Sequence, residues 1–270
     1  MERFFDQRLK TRVLLGLFNK FEYGLCARVL WREHRAAILI RLDGSLISIY
    51  LVGDVNDLLL IHSYQRSEYD HIGGFVGTAH CSASFVDCLN EGEITSADCM
   101  AGGFTGRISP NTAAYKDIYL FENCVNRGNI TGTYNNSMTG IGGLVGNGDA
   151  VNEVTFKNCV NYGDVVLSNR THQGNVGGIF GAITNNASVV VAENCVNHGQ
   201  IGLASDATTT RTVLNRAGGI AGYVGAKNVI NFSYCYNYGD VYGKLIAGGI
   251  AGVGMGTPCA DITYTACGNY

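Results

Sequence analysis

Asn158-Cys159-Val160-Asn161-Tyr162-Gly163 and, a little further on, Gly177-Gly178-Ile179-Phe180-Gly181 are the two stretches on which the reading of this chain turns. Both return along the sequence. The Gly-Gly-x-x-Gly block also begins at Gly73, Gly102, Gly142, Gly218 and Gly248. Cys-x-Asn-x-Gly recurs from Cys88, Cys124, Cys195 and Cys235, and a last copy opens at Cys267. Successive cysteines of this block stand 36, 35, 36, 40 and 32 residues apart. Fixed blocks with a varying interval make the blocks structural and the length changes loops. The last copy stops at Tyr270, as expected of a piece of a longer array.

Between the blocks the apolar residues keep step. One precedes each Gly-Gly pair (Ile72, Ala101, Ile141, Val176, Ala217, Ala247), and another is third in the block (Phe75, Phe104, Leu144, Ile179, Ile220, Ile250). Three and five residues before the cysteines stand Phe85 and Ala83, Phe121 and Tyr119, Phe156 and Val154, Ala192 and Val190, Phe232 and Ile230. That spacing of two is the signature of a half-buried strand. After Asn-x-Gly a polar residue is followed by Ile or Val in every complete copy, as in Asp164-Val165. Each repeat thus holds three strand-like pieces. Strict alternation would turn Cys159 away from Phe156, so a corner is expected there. Asn would bond the local backbone and Gly would supply positive φ.

Three short strands per repeat, joined by turns, are expected to stack as an all-β, right-handed parallel β-solenoid of about six repeats over residues 71–270. Equivalent residues would lie about 4.8 Å apart in ladders of Ile/Phe, Cys and Asn. One coil cannot bury its own inner face, so each depends on its neighbours. A helical solenoid of similar period is excluded, because two glycine blocks per repeat cost too much helix. A β-propeller fits poorly, with three strands per repeat and no Trp-Asp signature.

Residues 1–70 read differently. Only Gly16, Gly24, Gly44 and Gly53 of the 37 glycines fall there, which marks a boundary at about residue 70. Residues 21–36 could form a helix. Apolar runs follow at 36–40, 46–52 and 58–61, separated by the turn signals Asp43-Gly44 and Gly53-Asp54. Two readings stand side by side: a small α/β cap over the solenoid's open end, or a stretch read from a wrong start or frame.

Composition narrows the function. With 46% hydrophobic and 15% charged residues the chain must fold rather than stay disordered. The net charge of −3 comes from the repeat region and offers no basic stripe for nucleic acid. No apolar run approaches the roughly 18–20 residues of a membrane-spanning helix. The stretch Val13 to Phe18 after Arg8-Leu9-Lys10-Thr11-Arg12 is too short for a signal peptide, and no small-residue cleavage site follows it.

The paired blocks resemble the GLUG motif, named for its Gly-Leu-x-Gly core and matched best by Gly142-Gly143-Leu144-Val145-Gly146. The companion Asn-Cys-x-Asn-x-Gly at Asn123–Gly128, Asn158–Gly163 and Asn194–Gly199 is similar to that family's repeats. The resemblance leaves residues 1–70 uncovered. It implies a large secreted or wall-anchored bacterial protein, of the kind found among adhesin-like proteins and the repeat regions of IgA-protease-type peptidases. The motif is not known as a catalytic unit.

Six of the ten cysteines (Cys88, Cys124, Cys159, Cys195, Cys235, Cys267) hold the repeat position, and Cys26, Cys81, Cys99 and Cys259 do not. One cysteine per coil is expected to be a small buried hydrophobe in a ladder rather than half of a disulfide. A zinc site from His71, His80, Cys81 and Cys88 is discounted, since no Cys-x-x-Cys pair is present. His34, His62, His172 and His198 read as loop or surface positions. Glu93, Asp164 and Asp240 fall beside the turns one per coil, as on a solvated edge. The glycine blocks lack the Lys-Ser/Thr of a phosphate loop. Glycosylation-type sequons at Asn129, Asn135, Asn169, Asn186 and Asn231 are incidental in so asparagine-rich a chain.

No residue is therefore assigned a catalytic, cofactor-binding or metal-binding role, and no cofactor is expected. The expected function is a non-enzymatic segment of a bacterial cell-surface or secreted protein, a stalk or adhesive surface. Binding would be carried by the variable loops at 131–140, 166–175 and 202–216. Expected partners are a host glycan or extracellular protein and further repeats of a parent chain, without nucleic acid or a membrane span. The alternative is a polysaccharide-degrading β-helix enzyme, a lyase or hydrolase.

Overall fold

The computed structural model describes residues 36–38, 49–51, 71–80, 82–96, 100–109, 117–132, 139–149, 152–167, 174–184, 188–203, 215–225, 228–244, 246–254 and 260–270. Among them every regular element is a β-strand. No helix of the described residues is long and apolar enough to cross a membrane.

A middle turn shows the plan. The chain runs through Thr139–Gly142, bends at Gly143-Leu144, and continues as Val145–Gly148. It then forms Glu153–Lys157, turns a corner into Val160–Asn161, and ends in Val165–Leu167. Five strands therefore replace the three expected pieces. The Gly-Gly block is two strands joined at a sharp bend, and Cys-x-Asn makes a short strand of its own.

Corresponding strands of successive turns pair in parallel, giving a β-solenoid. The glycines opening the blocks lie in register, Gly73 with Gly102, Gly142, Gly177, Gly218 and Gly248. The least regular side stacks Ile94, Ile130 and Val165, and the single bridges Val165–Ile201 and Ile201–Val241 carry it onward. Those five positions make four stacking steps, so this side is about four turns deep.

Two apolar cores run along the solenoid. The larger lies inside the strands around the corner and holds Phe85, Phe121, Phe156, Phe180 and Phe232 with the ladder cysteines. The smaller is built from Ile72, Ile94, Ile130, Ile141, Val165, Leu167, Val176 and Ile201. In the larger core Phe85 stacks on Phe121 at 4.8 Å and Phe121 on Phe156 at 5.1 Å between ring centroids. The next residue in that column is Ala192, and the ring is supplied instead by Phe180 of the Gly-Gly block, 5.3 Å from Phe156. The aromatic column thus survives a substitution within its own register. Each fully buried Phe contributes about 2–3 kcal/mol.

The glycine blocks pass where strands approach backbone to backbone. A Cβ on Gly178 would overlap the carbonyl oxygen of Gly219 in the next turn and the side chain of Asn197. The corner differs from expectation. Positive φ belongs to the residue before each cysteine, Asp87, Asn123, Asn158, Asn194, Tyr234 and Ala266, at 51–54°. It does not belong to the glycine of Asn-x-Gly. That glycine is needed for closeness: a Cβ on Gly163 would overlap the carbonyl oxygen of Gly128 in the turn before. The left-handed residue reverses the side-chain alternation, which is why Cys159 and Phe156 both face the core.

Asparagine side chains close the corner from within. Asn161 Nδ2 donates to Gly163 O at 2.7 Å and to Asn197 Oδ1 of the next turn at 2.7 Å. The same pair of bonds is made by Asn90, Asn126 and Asn197, with Asn237 donating on to Asn269. A second, exposed amide ladder runs through the left-handed positions, from Asn194 to Asn158 to Asn123 to Asp87.

Ahead of residue 71, Ile49–Leu51 pairs in parallel with Ala83–Val86, and Ala36–Ile38 pairs antiparallel with Ile49–Leu51. These strands fall within the apolar runs 36–40 and 46–52. The helix expected over 21–36 lies outside the described residues except at Ala36, which begins a strand.

Candidate functional site

All three variable loops leave from one edge of the solenoid. They follow Gly132, Leu167 and Leu203 and re-enter at Thr139, Gly174 and Asn215. Gly132 is in register with Leu167, and Thr139 with Gly174 and Asn215. The loop interiors at 133–138, 168–173 and 204–214 lie outside the described residues.

At the base of these loops the two halves of the Gly-Gly block carry a polar seam. Gly140, Asn175 and Arg216 form one column. Asn147, Ala182 and Tyr223 form the facing one. Arg216 is buried, donates from Nη1 to Asn175 Oδ1 at 3.2 Å, and sets its guanidinium 4.7 Å over the Tyr223 ring. One turn lower the seam is held by Asp149. It accepts from Arg107 Nε at 2.8 Å, from Asn147 Nδ2 at 3.0 Å and from Thr184 Oγ1. This carboxylate ties three successive turns together. The seam gives the loop edge a rigid, hydrogen-bonding floor.

A second surface feature went unread in the sequence. The residue between Asn and Gly of the corner block points outward, so Tyr162, His198, Tyr238 and Tyr270 stack in an exposed column. Their ring centroids are 4.8, 5.1 and 5.1 Å apart. In the first two turns the same column holds Glu91 and Arg127, paired at 3.2 Å. The signal was present at the x of Asn-x-Gly, and it takes the register of the Asn ladder to turn that position into a column. Because the rings lie face to face, mainly their edges and hydroxyls meet solvent.

The expected cysteine ladder is present. Cys88, Cys124, Cys159, Cys195 and Cys235 are free and buried, and Cys267 is free and partly exposed. The thiols of Cys124, Cys159, Cys195 and Cys235 each donate to a carbonyl in the turn before, such as Cys159 Sγ to Phe121 O at 3.3 Å. Burial pushes the thiols of Cys124 and Cys195 well above the ordinary range, so they are neutral at physiological pH.

Three of the four residues considered for zinc fall among the described ones, and each has another setting. His71 shares a hydrogen bond with Thr78 at 3.0 Å, His80 bonds Ser109 O at 3.0 Å, and Cys88 is buried in the ladder. Cys81 lies outside the described residues. No group of three His, Cys, Asp or Glu able to hold a metal occurs among the described residues. Glu93, Asp164 and Asp240 are exposed and stand on alternate turns, with Asn129 and Gln200 between them. Asp164 Oδ1 accepts from the backbone N–H of Gln200 at 2.8 Å. Asp240 accepts from the Tyr242 hydroxyl at 3.1 Å, which raises the phenol's pKa.

Set against protein-family models, curated proteins and solved structures, the chain finds no match.

Proposed function

We propose that residues 71–270 are a non-enzymatic, GLUG-type repeat segment of a secreted or surface-attached bacterial protein. In this reading a right-handed solenoid of about six repeats serves as a stiff stalk. Its variable loops form an adhesive surface for a host glycan or extracellular protein, and strands 36–38 and 49–51 belong to a cap at one end. The observation that carries the reading is the register of the loop anchors. Gly132 with Leu167, and Thr139 with Gly174 and Asn215, bring to one edge three loops of differing sequence, two with six-residue interiors and one with eleven. Invariant strands with variable loops on one side are how repeat proteins build binding surfaces.

The test replaces each loop interior (133–138, 168–173, 204–214) with a short Gly-Asn linker. Parent and variants are compared on a glycan array and on immobilised extracellular-matrix proteins. The proposal expects retention by the parent, loss of at least tenfold in the variants, and an unchanged thermal midpoint. Binding that survives all three replacements would place the surface elsewhere. Reducing-sugar release from mixed polysaccharides by the parent chain would overturn the non-enzymatic reading.

A further inference from the structure

We propose that the buried cysteine ladder is a row of binding sites for soft monovalent cations of the Cu(I) and Ag(I) type, with one cation held in line between each neighbouring pair of thiols from Cys88 to Cys235. The geometry starts from hydrogen bonds that repeat in every turn. Cys159 Sγ donates to Lys157 O in its own turn at 3.4 Å and to Phe121 O in the turn before at 3.3 Å. Cys195 makes the equivalent pair with Glu193 O and Phe156 O, each at 3.5 Å. Cys124 and Cys235 do the same, and Cys88 keeps the bond within its own turn, to Val86 O at 3.2 Å. Thiols with equivalent acceptors occupy the same place in each turn. The parallel stacking that sets Leu89 on Val125, Val160, Val196 and Tyr236 therefore carries each sulfur onto the next. The sulfurs form a straight file at the strand spacing of about 4.8 Å.

That spacing selects the metal. A thiolate–metal bond is about 2.3 Å, so two bonds in line span about 4.6 Å, close to one step of the file. Tetrahedral zinc would instead need four sulfurs about 3.8 Å apart around a single point. The described residues hold no group of three His, Cys, Asp or Glu able to surround a metal. Each gap in the file offers two sulfurs on opposite sides, which suits closed-shell cations that accept linear coordination, and thiolate softness favours Cu(I) among biological metals. Phe85, Phe121, Phe156 and Phe232 share the core with the ladder, so the surroundings are apolar and favour an uncharged complex.

Burial holds the thiols of Cys124 and Cys195 protonated. Each cation displaces one thiol proton to solvent and binds the resulting thiolate, with the neighbouring sulfur's lone pair as its second ligand. Metal charge and thiolate charge cancel, so the filled core carries no net charge. Five buried thiols enclose four gaps, and in a full file each interior sulfur is shared by two cations. The ladder is shielded from solvent, so the cations enter while the turns are stacking during folding.

The experiment uses the full chain with Cys26, Cys81, Cys99, Cys259 and Cys267 replaced by serine, which leaves the five buried thiols. It is refolded from urea in chloride-free buffer with excess silver nitrate, and loosely held silver is stripped with free histidine. Native mass spectrometry then counts the bound ions, and circular dichroism checks the fold. The count distinguishes gaps from thiols. Four Ag(I) are expected in this parent, three in Cys88→Ala, which removes one gap, and two in Cys159→Ala, which removes two. Cys124→Ala also removes two gaps and replaces Cys159→Ala should that variant fail to refold. X-ray absorption should find two sulfur neighbours per silver. One silver per thiol, five falling to four in every variant, would overturn the proposal. A folded parent without silver, or silver bound by three or more sulfurs, would overturn it as well.

Discussion

The turn built from residues 174–202 and the turn built from 246–270 carry the same blocks, and they differ in surroundings. In the first, Val176, Ile179, Cys195 and Asn197 are almost completely shielded from solvent. In the second, Ile250 and Cys267 are half-buried, Ala247 and Asn269 are exposed, and Tyr264 is 51% exposed. The strands and left-handed corner form in both, and Asn269 accepts from Asn237 as Asn197 accepts from Asn161. The last turn has a stacked neighbour on one side among the described residues, and the earlier turn has one on each. The block therefore dictates conformation, while burial, and with it most of the stability, comes from adjacent turns.

Equivalent substitutions at the two places should break that equality. The largest difference is expected at the aromatic column. Phe156 is stacked between Phe121 and Phe180, so Phe156→Ala should cost about 3–5 kcal/mol in urea unfolding. Tyr264→Ala, with half its ring in water, should cost under about 1 kcal/mol. Next come the glycines. In Gly178→Ala the new methyl meets the backbone carbonyl of Gly219, and the loss should be about 3 kcal/mol. In Gly249→Ala it meets Asn269 as far back as Cβ, so the end strand must shift with the side chain, and about 2 kcal/mol is expected by the same measurement.

The Asn ladder carries smaller losses. Asn161→Ala leaves Gly163 O and Asn197 Oδ1 without their donor and should cost about 2 kcal/mol by thermal unfolding. Asn269→Ala at the exposed end should cost about 0.5 kcal/mol. Smallest is a gain. Tyr234 holds φ of 53°, a conformation that asparagine fills in three other turns, so Tyr234→Asn should stabilise by about 1 kcal/mol. An unchanged or lowered midpoint would sever the link between that column and the corner.

Much of this architecture is written in the blocks themselves. Ile141 and Phe156 mark inward positions because apolar residues recur there at fixed offsets, and Cys159 and Asn161 form the ladders their repetition implies. The bend at Gly143-Leu144 was not legible as a break between two strands, since an isolated Gly-Gly pair reads equally as part of one. The left-handed residue was within reach. Asn123, Asn158 and Asn194 share its column, and asparagine tolerates that conformation best among side-chain-bearing residues. The glycine five residues further on, where turn chemistry predicts the positive φ, serves proximity between turns and so has no local signature. The same holds for Arg216, Asn175 and Tyr223. They come from two strands of one block and the strand of another turn, and only register brings them together.

The most direct test of the account is native-state hydrogen exchange of the amides that bond the turn before. Val125, Val160, Val196, Tyr236 and Gly268 each donate to a ladder cysteine's carbonyl at 2.9 Å, so the local bonds are alike. If neighbours set stability, protection should be greatest at Val160 and Val196 and should fall at Gly268 by at least about a hundredfold, or roughly 2.7 kcal/mol. Equal protection at all five positions would contradict the account, because each turn would then hold its structure without help from the next.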